Sequence, residues 1–229
     1  QTEVLNNFER FKRIKKGKLI WSCGMGKTYM SLFICHELKA RKILICVPSI
    51  YLLNQFRLSV KKVFNYNPFC VYRCGIKKKK IKKYLHNKEH LIILSTYHSC
   101  KKILTVSKLI NYNFDIKIGD ETHHLVTSIK EQDKSTFDKF HSIESTYSLF
   151  MTATERLYHS KNKNVFSMDK KEIYGDEIYS MSFKEAIESK ERIICDYKII
   201  TLSINQSVIE QLIKSNDYIE LKKLNKNVS

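Results

Sequence analysis

Leu19-Ile20-Trp21-Ser22-Cys23-Gly24-Met25-Gly26-Lys27-Thr28 decides the fold of this 229-residue chain. An apolar run leads into a glycine loop, Lys-Thr follows, and Met30 to Leu38 carries a helical pattern. Strand, glycine loop, Lys-Thr and helix, in that order, make a site for a nucleoside triphosphate. The glycines let the backbone N–H groups from Ser22 and Cys23 through Gly24, Met25 and Gly26 to Thr28 close around phosphates. The helix that starts near Lys27 aims its positive end at the same charge. Lys27 reaches the β- and γ-phosphates, and the Thr28 hydroxyl holds Mg²⁺. The full spacing G-x-x-x-x-G-K-[ST] asks for glycine where this chain has Trp21, but the core G-x-G-K-T is intact.

A second segment supports the first. Phe114-Asp115-Ile116-Lys117-Ile118-Gly119-Asp120-Glu121-Thr122-His123-His124 reads as an alternating strand that ends in a carboxylate pair. Phosphoryl transfer from ATP needs a Mg²⁺-side carboxylate and a group that orients the attacking water. Asp120 fits the first role and Glu121 the second. Further on, the apolar run Tyr147-Ser148-Leu149-Phe150-Met151 ends in Thr152-Ala153-Thr154.

In this order and spacing, the three segments resemble the first motor domain of superfamily 2 helicases and translocases. Ser22–Thr28 is similar to motif I, Asp120-Glu121-Thr122-His123 to the D-E-x-H box, and Thr152-Ala153-Thr154 to the S/T-A-T box. Pro48-Ser49, after Ile45-Cys46-Val47, falls where motif Ia stands. Leu94-Ser95-Thr96-Tyr97 falls where motif Ib stands. The later stretches Tyr174–Tyr179, Ser182–Ile187 and Cys195–Ile199 resemble the close of this domain in the branch of restriction-enzyme motor subunits and large DNA virus and phage helicases.

The resemblance implies a RecA-like three-layer α/β sandwich with a mostly parallel central sheet, a P-loop NTPase. It implies ATP and Mg²⁺ as ligands, with Thr28 and Asp120 on the metal and Lys27, Asp120 and Glu121 in catalysis. It implies that His123, Thr152 and Thr154 couple nucleotide state to strand grip. Pro48, Ser49, Ser95, Thr96 and Tyr97 would touch the sugar-phosphate backbone of nucleic acid, DNA before RNA. Such contacts carry little sequence preference. Gln1 stands as the remnant of an adenine-reading glutamine. Three departures from the pattern stand out. Thr122 replaces the usual alanine, Gly119 is small beside the carboxylates, and Asp115 and Lys117 interrupt an apolar strand. A lysine there must snorkel, pair or lie at the strand's start.

Composition permits this reading without proving it. The net charge of +18 suits a polyanionic partner, yet abundant Lys, Asn and Ile also follow from AT-rich coding. The run Lys77-Lys78-Lys79-Lys80 with Lys82-Lys83 reads most simply as a solvated helix face or loop. The hydrophobic fraction of 43% is enough for a real core. No run of eighteen apolar residues predicts a membrane helix, and the first residues carry no signal core. Seven scattered cysteines fit a reducing, intracellular compartment: cytoplasm, or a viral or phage replication site. Cys70-x3-Cys74 with His86-x3-His90 tempts a zinc reading. Four residues along a strand, however, hold two sulfurs roughly 13 Å apart, too far to share one ion.

Strands are expected at 19–22, 42–47, 69–72, 91–95, 114–120, 147–152 and 197–203. Helices are expected at 27–38, 52–64, 77–85, 101–109, 182–188 and 208–223. Residues 1–203 then form the ATP-binding motor domain, and 204–229 a helical connector or the start of an inserted element. The chain starts at Gln1 without an initiator Met and reads as a fragment. Family members complete the site with arginine fingers from a second RecA-like domain, and no such motif stands in this chain. Alone, it is expected to bind ATP weakly and turn it over slowly, since an arginine finger is worth about 10³ to 10⁵ in turnover. The rival readings are another P-loop machine, such as a kinase or recombinase-type ATPase, and a degenerate motor kept as a nucleic-acid-binding or assembly module without significant ATPase activity.

Overall fold

Parallel strands buried on both faces read as unbroken apolar runs, and Lys42–Val47 and Leu91–Thr96 are of that kind. They lie side by side near the middle of a seven-stranded sheet in the computed structural model. The structure describes residues 2–72, 76–86, 89–128, 137–157 and 165–189. The expected strand 197–203, helix 208–223 and connector 204–229 lie outside them, as do Gln1, Cys74 and Cys195–Ile199.

The chain begins with α1 (Thr2–Ile14), β1 (Lys16–Trp21), α2 (Lys27–Glu37), β2 (Lys42–Val47), α3 (Ile50–Phe64) and β3 (Phe69–Val71). There follow α4 (Lys78–His86), β4 (Leu91–Thr96), α5 (Cys100–Leu109) and β5 (Phe114–Gly119). Then come β6 (Thr127–Ser128), β7 (Ser145–Thr152), β8 (Val165–Phe166), β9 (Asp176–Met181) and a last helix, Phe183–Glu188. Single 3₁₀ turns stand at Tyr97–Ser99, Thr122–Leu125 and Phe137–Phe140, and one helical turn at Lys171–Tyr174.

The sheet order is β3-β4-β2-β5-β7-β1-β9, and every ladder in it is parallel. A separate antiparallel ribbon pairs β6 with β8. One face is covered by α1, α2 and α3, whose Phe11, Leu32, Ile34, Leu53 and Phe56 pack on Leu19, Ile45 and Ile118. The other is covered by α4, α5 and the Phe137–Phe140 turn. There Ile81, Leu85, Ile103 and Phe140 meet Leu44, Ile93 and Phe150. This makes three layers with a hydrophobic core on each face of the sheet. No described helix is long and apolar enough to cross a membrane.

Two differences from the expected elements have a common cause. β1 starts at Lys16, three residues before the predicted start, and β9 is a sheet strand that the hydrophobic pattern did not mark. Both carry charged residues whose charge is satisfied locally. Lys18 pairs with Glu155 and donates to Met168 O at 2.9 Å, while Lys16 donates to Glu172 O at 2.8 Å. Asp176, which opens β9, sits between Arg10 at 2.7 Å and Lys171 at 3.0 Å. These two partners hold its carboxyl below the usual range. Ser182, predicted as helical, is instead the N-cap of the last helix. It forms a capping box with Glu185, whose side chain accepts from Ser182 N at 2.7 Å.

Gly175 links the Lys171–Tyr174 turn to β9 at φ 77° and ψ −172°, a conformation essentially reserved for glycine. Its Cα also faces the β1 backbone so closely that a side chain has no room.

Candidate functional site

The phosphate loop connects β1 to α2 at the carboxyl edge of the sheet, where ligands bind in open α/β folds. Gly24 and Gly26 take φ 86° and 85°. An added Cβ at either would meet nothing within 4 Å, so backbone conformation, not space, requires glycine. Gly26 is the N-cap of α2 and offers no side-chain cap, and the first turn contains no acidic residue. The N–H groups of that turn are therefore left for an anion. Lys27 folds back over the loop and donates from Nζ to Trp21 O at 2.8 Å and Ser22 O at 3.4 Å. Ser22 is buried, its hydroxyl donating to Met181 O on β9 at 3.4 Å, while Cys23 is exposed and Met25 packs on the core. An apolar cleft of about 640 Å³ runs beside this loop, lined by Trp21, Gly26, Tyr29, Met30 and Phe33. The indole Nε1 of Trp21 is buried without a hydrogen-bond partner.

β5 ends at Gly119, one residue earlier than expected, so Asp120 stands just past the strand. Its N–H donates to Cys46 O at 2.9 Å, and its carbonyl accepts from the Tyr97 hydroxyl at 2.7 Å. Burial pushes the Asp120 carboxyl up to about 6, Glu121 adds to the rise, and Lys27 opposes it. Asp120 follows β5 and Lys27 follows β1, two strands away across β7, so both stand at the carboxyl edge of the sheet.

Glu121 adopts φ 49° and ψ 49°, left-handed backbone that disfavours a non-glycine residue by about 1–2 kcal/mol. Glu121→Gly is accordingly expected to raise stability by about 1 kcal/mol, read from the urea midpoint at constant slope. An unchanged or lower midpoint would show that the backbone is relaxed there.

His123 brings the second and third segments together. Its Nδ1 lies 3.0 Å from Thr152 Oγ1 and 3.3 Å from Glu121 Oε2. Thr152 gives its hydroxyl proton to Thr154 O at 2.8 Å. Its oxygen can then only accept from His123, which assigns the proton to Nδ1 from the hydrogen-bond network. Burial lowers the His123 pKa, and the His124 ring 4.2 Å away adds to that.

The structure accounts for Thr122, Gly119 and Lys117. Thr122 is buried and donates to Met151 O at 3.1 Å. At Gly119 a Cβ would come within 2.8 Å of Thr122 Cγ2 and 2.9 Å of Tyr97 Oη. Lys117 lies in mid-strand, 6% exposed. Its Nζ donates to the carbonyls of Phe140, His141 and Ile143 at 3.3, 2.9 and 2.6 Å. Burial first, then the charge of Lys16, lowers its pKa to about 8.

The side chains of Ser95, Thr96 and Tyr97 face the interior of the domain. Ser95 donates to Val71 O at 3.1 Å, Thr96 to Ser99 Oγ at 3.3 Å, and Tyr97 holds Asp120. The physical reason is that β4 is covered on both faces through its last residue. Ser49 is exposed and caps α3, its Oγ accepting from Leu52 N at 3.2 Å, with Pro48 half-buried beside it. Among the described residues no cluster of three His, Cys, Asp or Glu could hold a metal ion. The roles of Lys117 and Tyr97 in holding the carboxylate segment escaped the sequence. The only signal was an unexplained lysine in an apolar strand.

The family described as "Type III restriction enzyme, res subunit" matches residues 1–157. Among solved structures, the ATP-dependent Type ISP restriction-modification enzyme LlaBIII bound to DNA superposes with a TM-score of 0.74 at 26% identity, over 94% of this chain and 17% of its own. A nuclease-deletion mutant of the Type ISP restriction-modification enzyme LlaGI, in complex with a DNA substrate mimic, gives 0.67 at 24% identity, over 98% of this chain and 23% of its own. The Pyrococcus furiosus Hef helicase domain gives 0.51 at 16% identity, over 76% of this chain and 36% of its own. The last two show the fold alone. The chain spans about a sixth of LlaBIII and a quarter of LlaGI. No curated protein matches it. The fold is the RecA-like motor fold of helicase superfamily 2, and the chain belongs to the family of the type III restriction enzyme res subunit.

Proposed function

We propose that this chain is the ATP-binding first motor domain of a DNA translocase or helicase, which couples Mg-ATP hydrolysis to movement along DNA. One observation carries the reading: the phosphate loop after β1 and the buried Asp120 after β5 stand at the same carboxyl edge of the sheet, two strands apart. That is the pairing a Mg-nucleotide site needs. The DNA-bound state of the LlaBIII structure supports DNA as the partner. A second RecA-like domain from the same protein completes the site.

The residues present fit the ligand. The N–H groups of Gly24–Thr28 and the Lys27 ammonium hold the phosphates, Lys27 exchanging the carbonyls of Trp21 and Ser22 for phosphate oxygens. Thr28 and Asp120 hold Mg²⁺, which supplies charge neutralisation at the transferring phosphoryl group. Glu121 orients the attacking water and accepts its proton. His123 ties Glu121 to Thr152 and Thr154 at the end of β7, so a shift of that segment reaches the carboxylate. The aromatic cleft beside Gly26 offers stacking surface for the base, and Pro48 and Ser49 lie on the DNA side.

Lys27→Ala tests the reading. Removing a charged donor is expected to weaken Mg²⁺-dependent binding of an ATP analogue by about 10- to 100-fold, measured with and without DNA. Equal affinity in the two proteins overturns the assignment of the loop.

A further inference from the structure

Helix α4 is built against its own electrostatics. Only Ile81 and Leu85 are buried, while Lys78, Lys79, Lys80, Lys82 and Lys83 are exposed, with Lys77 just before them. Lysines at 78 and 82, and at 79 and 83, are like charges one turn apart. Each such pair destabilises a helix by a few tenths of a kcal/mol. The first turn holds lysines and no acidic residue, so the helix dipole opposes it as well. Among the described residues, none of these ammonium groups has an ion-pair partner. Lys80 alone lies over a ring, that of Phe69, at 5.9 Å. A helix whose task was only to cover Ile81 and Leu85 would be more stable with mixed charges. Local rules broken together mark functional surfaces.

The topology places this charge. β3 and β4 are parallel, so the helix between them begins at the carboxyl edge of the sheet and runs back to the other edge. The start of α4 therefore shares an edge with Ser49 and the phosphate loop. Lys102, near the start of α5, donates to Ile76 O at 3.4 Å and fixes the approach to α4 there. In the order β3-β4-β2-β5-β7-β1, β3 is five strands from β1, about 24 Å at about 4.8 Å per step. Lys78–Lys83 is thus out of reach of the nucleotide.

We propose that Lys77–Lys83 is a separate binding site for the phosphate backbone of double-stranded DNA, independent of sequence. The charge density selects the duplex. Lys78 to Lys83 cover about 7.5 Å of helix axis at about 1.5 Å per residue. Duplex DNA presents one charge per about 1.7 Å, hence about four phosphates over that length, and a single strand about half as many. The inference rests on the DNA-motor reading above, and its test separates the two.

The test uses the full chain as wild type, K78Q/K79Q/K82Q and K39Q/K61Q/K108Q. The second triple removes the same charge from exposed lysines where α2, α3 and α5 end, at the opposite edge. Binding to a duplex of arbitrary sequence is measured across a salt series, together with affinity for a Mg-ATP analogue. The α4 triple is expected to lower the salt slope by about 2 to 3, since each lost phosphate contact contributes about 0.9. At low salt it is expected to bind the duplex at least about tenfold more weakly. The control triple keeps the wild-type slope, and nucleotide affinity is the same in all three. Equal slopes in the two triples overturn this site while leaving the motor reading intact. Loss of nucleotide binding by the wild type overturns the motor reading itself.

Discussion

Lys117→Ala is expected to destabilise the chain by about 3–5 kcal/mol, because it leaves three buried carbonyls without a donor and opens a cavity in the middle of the sheet. The acceptors are the carbonyls of Phe140, His141 and Ile143. They belong to the turn that lays Phe140 against Tyr97, with ring centroids 5.6 Å apart. Tyr97 in turn holds the Asp120 carbonyl. Lys117→Met keeps the volume and removes only the donors, so about 1–3 kcal/mol of the loss should remain. A methionine variant with the wild-type urea midpoint would mean that the three hydrogen bonds contribute nothing net.

The same residue sets a pH dependence whose sign is fixed. The folded pKa of Lys117 is about 8, below the ordinary 10.5. Below pH 8 both folded and unfolded chains carry the proton, and the buried charge is a constant penalty. Between about 8 and 10.5 the folded chain releases the proton while the unfolded chain keeps it. The Lys117 contribution to stability therefore rises with pH through that window. Neither substituted chain has that rise. Burial raises the Cys35 and Cys46 thiols and so opposes the rise in the same window, and the rise is therefore read as the stability of the wild type minus that of Lys117→Met; a difference that is flat or falling contradicts the burial of a charged Lys117.

Gly175→Ala is expected to cost about 3–5 kcal/mol, combining a backbone conformation disfavoured by about 1–3 kcal/mol with a steric overlap of similar size. A Cβ at this position overlaps the carbonyl of Lys16 and lies 2.7 Å from Gly17 N. Both contacts are backbone, so no side chain can rotate away. β9 must separate from β1, and with it go the Ser22–Met181 hydrogen bond and the edge-on contact of Trp21 with Tyr179 at 5.8 Å. In a chain of this length the midpoint of thermal unfolding should fall by about 10 °C. A fall under about 2 °C would mean that β9 is not docked on β1 as described. The disturbance is also expected to reach the phosphate loop, which begins where β1 ends.

What could be read from the sequence follows from where the determinants lie. β2 and β4 are apolar throughout because both faces are covered, and the pattern marked them to within a residue. The phosphate loop and the Asp120-Glu121 pair were legible because each is a short stretch whose chemistry is local. β9 and the first half of β1 were not. Lys16, Lys18 and Asp176 mimic a surface segment until partners more than a hundred residues away, such as Glu155 and Arg10, are in place. The orientation of Ser95, Thr96 and Tyr97 depends on what covers the end of β4, which no spacing records. Lys117 announced a conflict in an apolar strand, but its three acceptors lie 23 to 26 positions away.

The left-handed backbone at Glu121 bears on how such a domain would age. Glycine or asparagine fits that conformation with less strain than glutamate. Under mutation without selection for turnover, position 121 would drift toward them, and the domain would grow slightly more stable as it fell silent. A glutamate still standing in that backbone is the residue that neutral drift would discard early. Descendants that have lost the reaction would be told apart at this one position, before the surrounding fold showed any sign of decay.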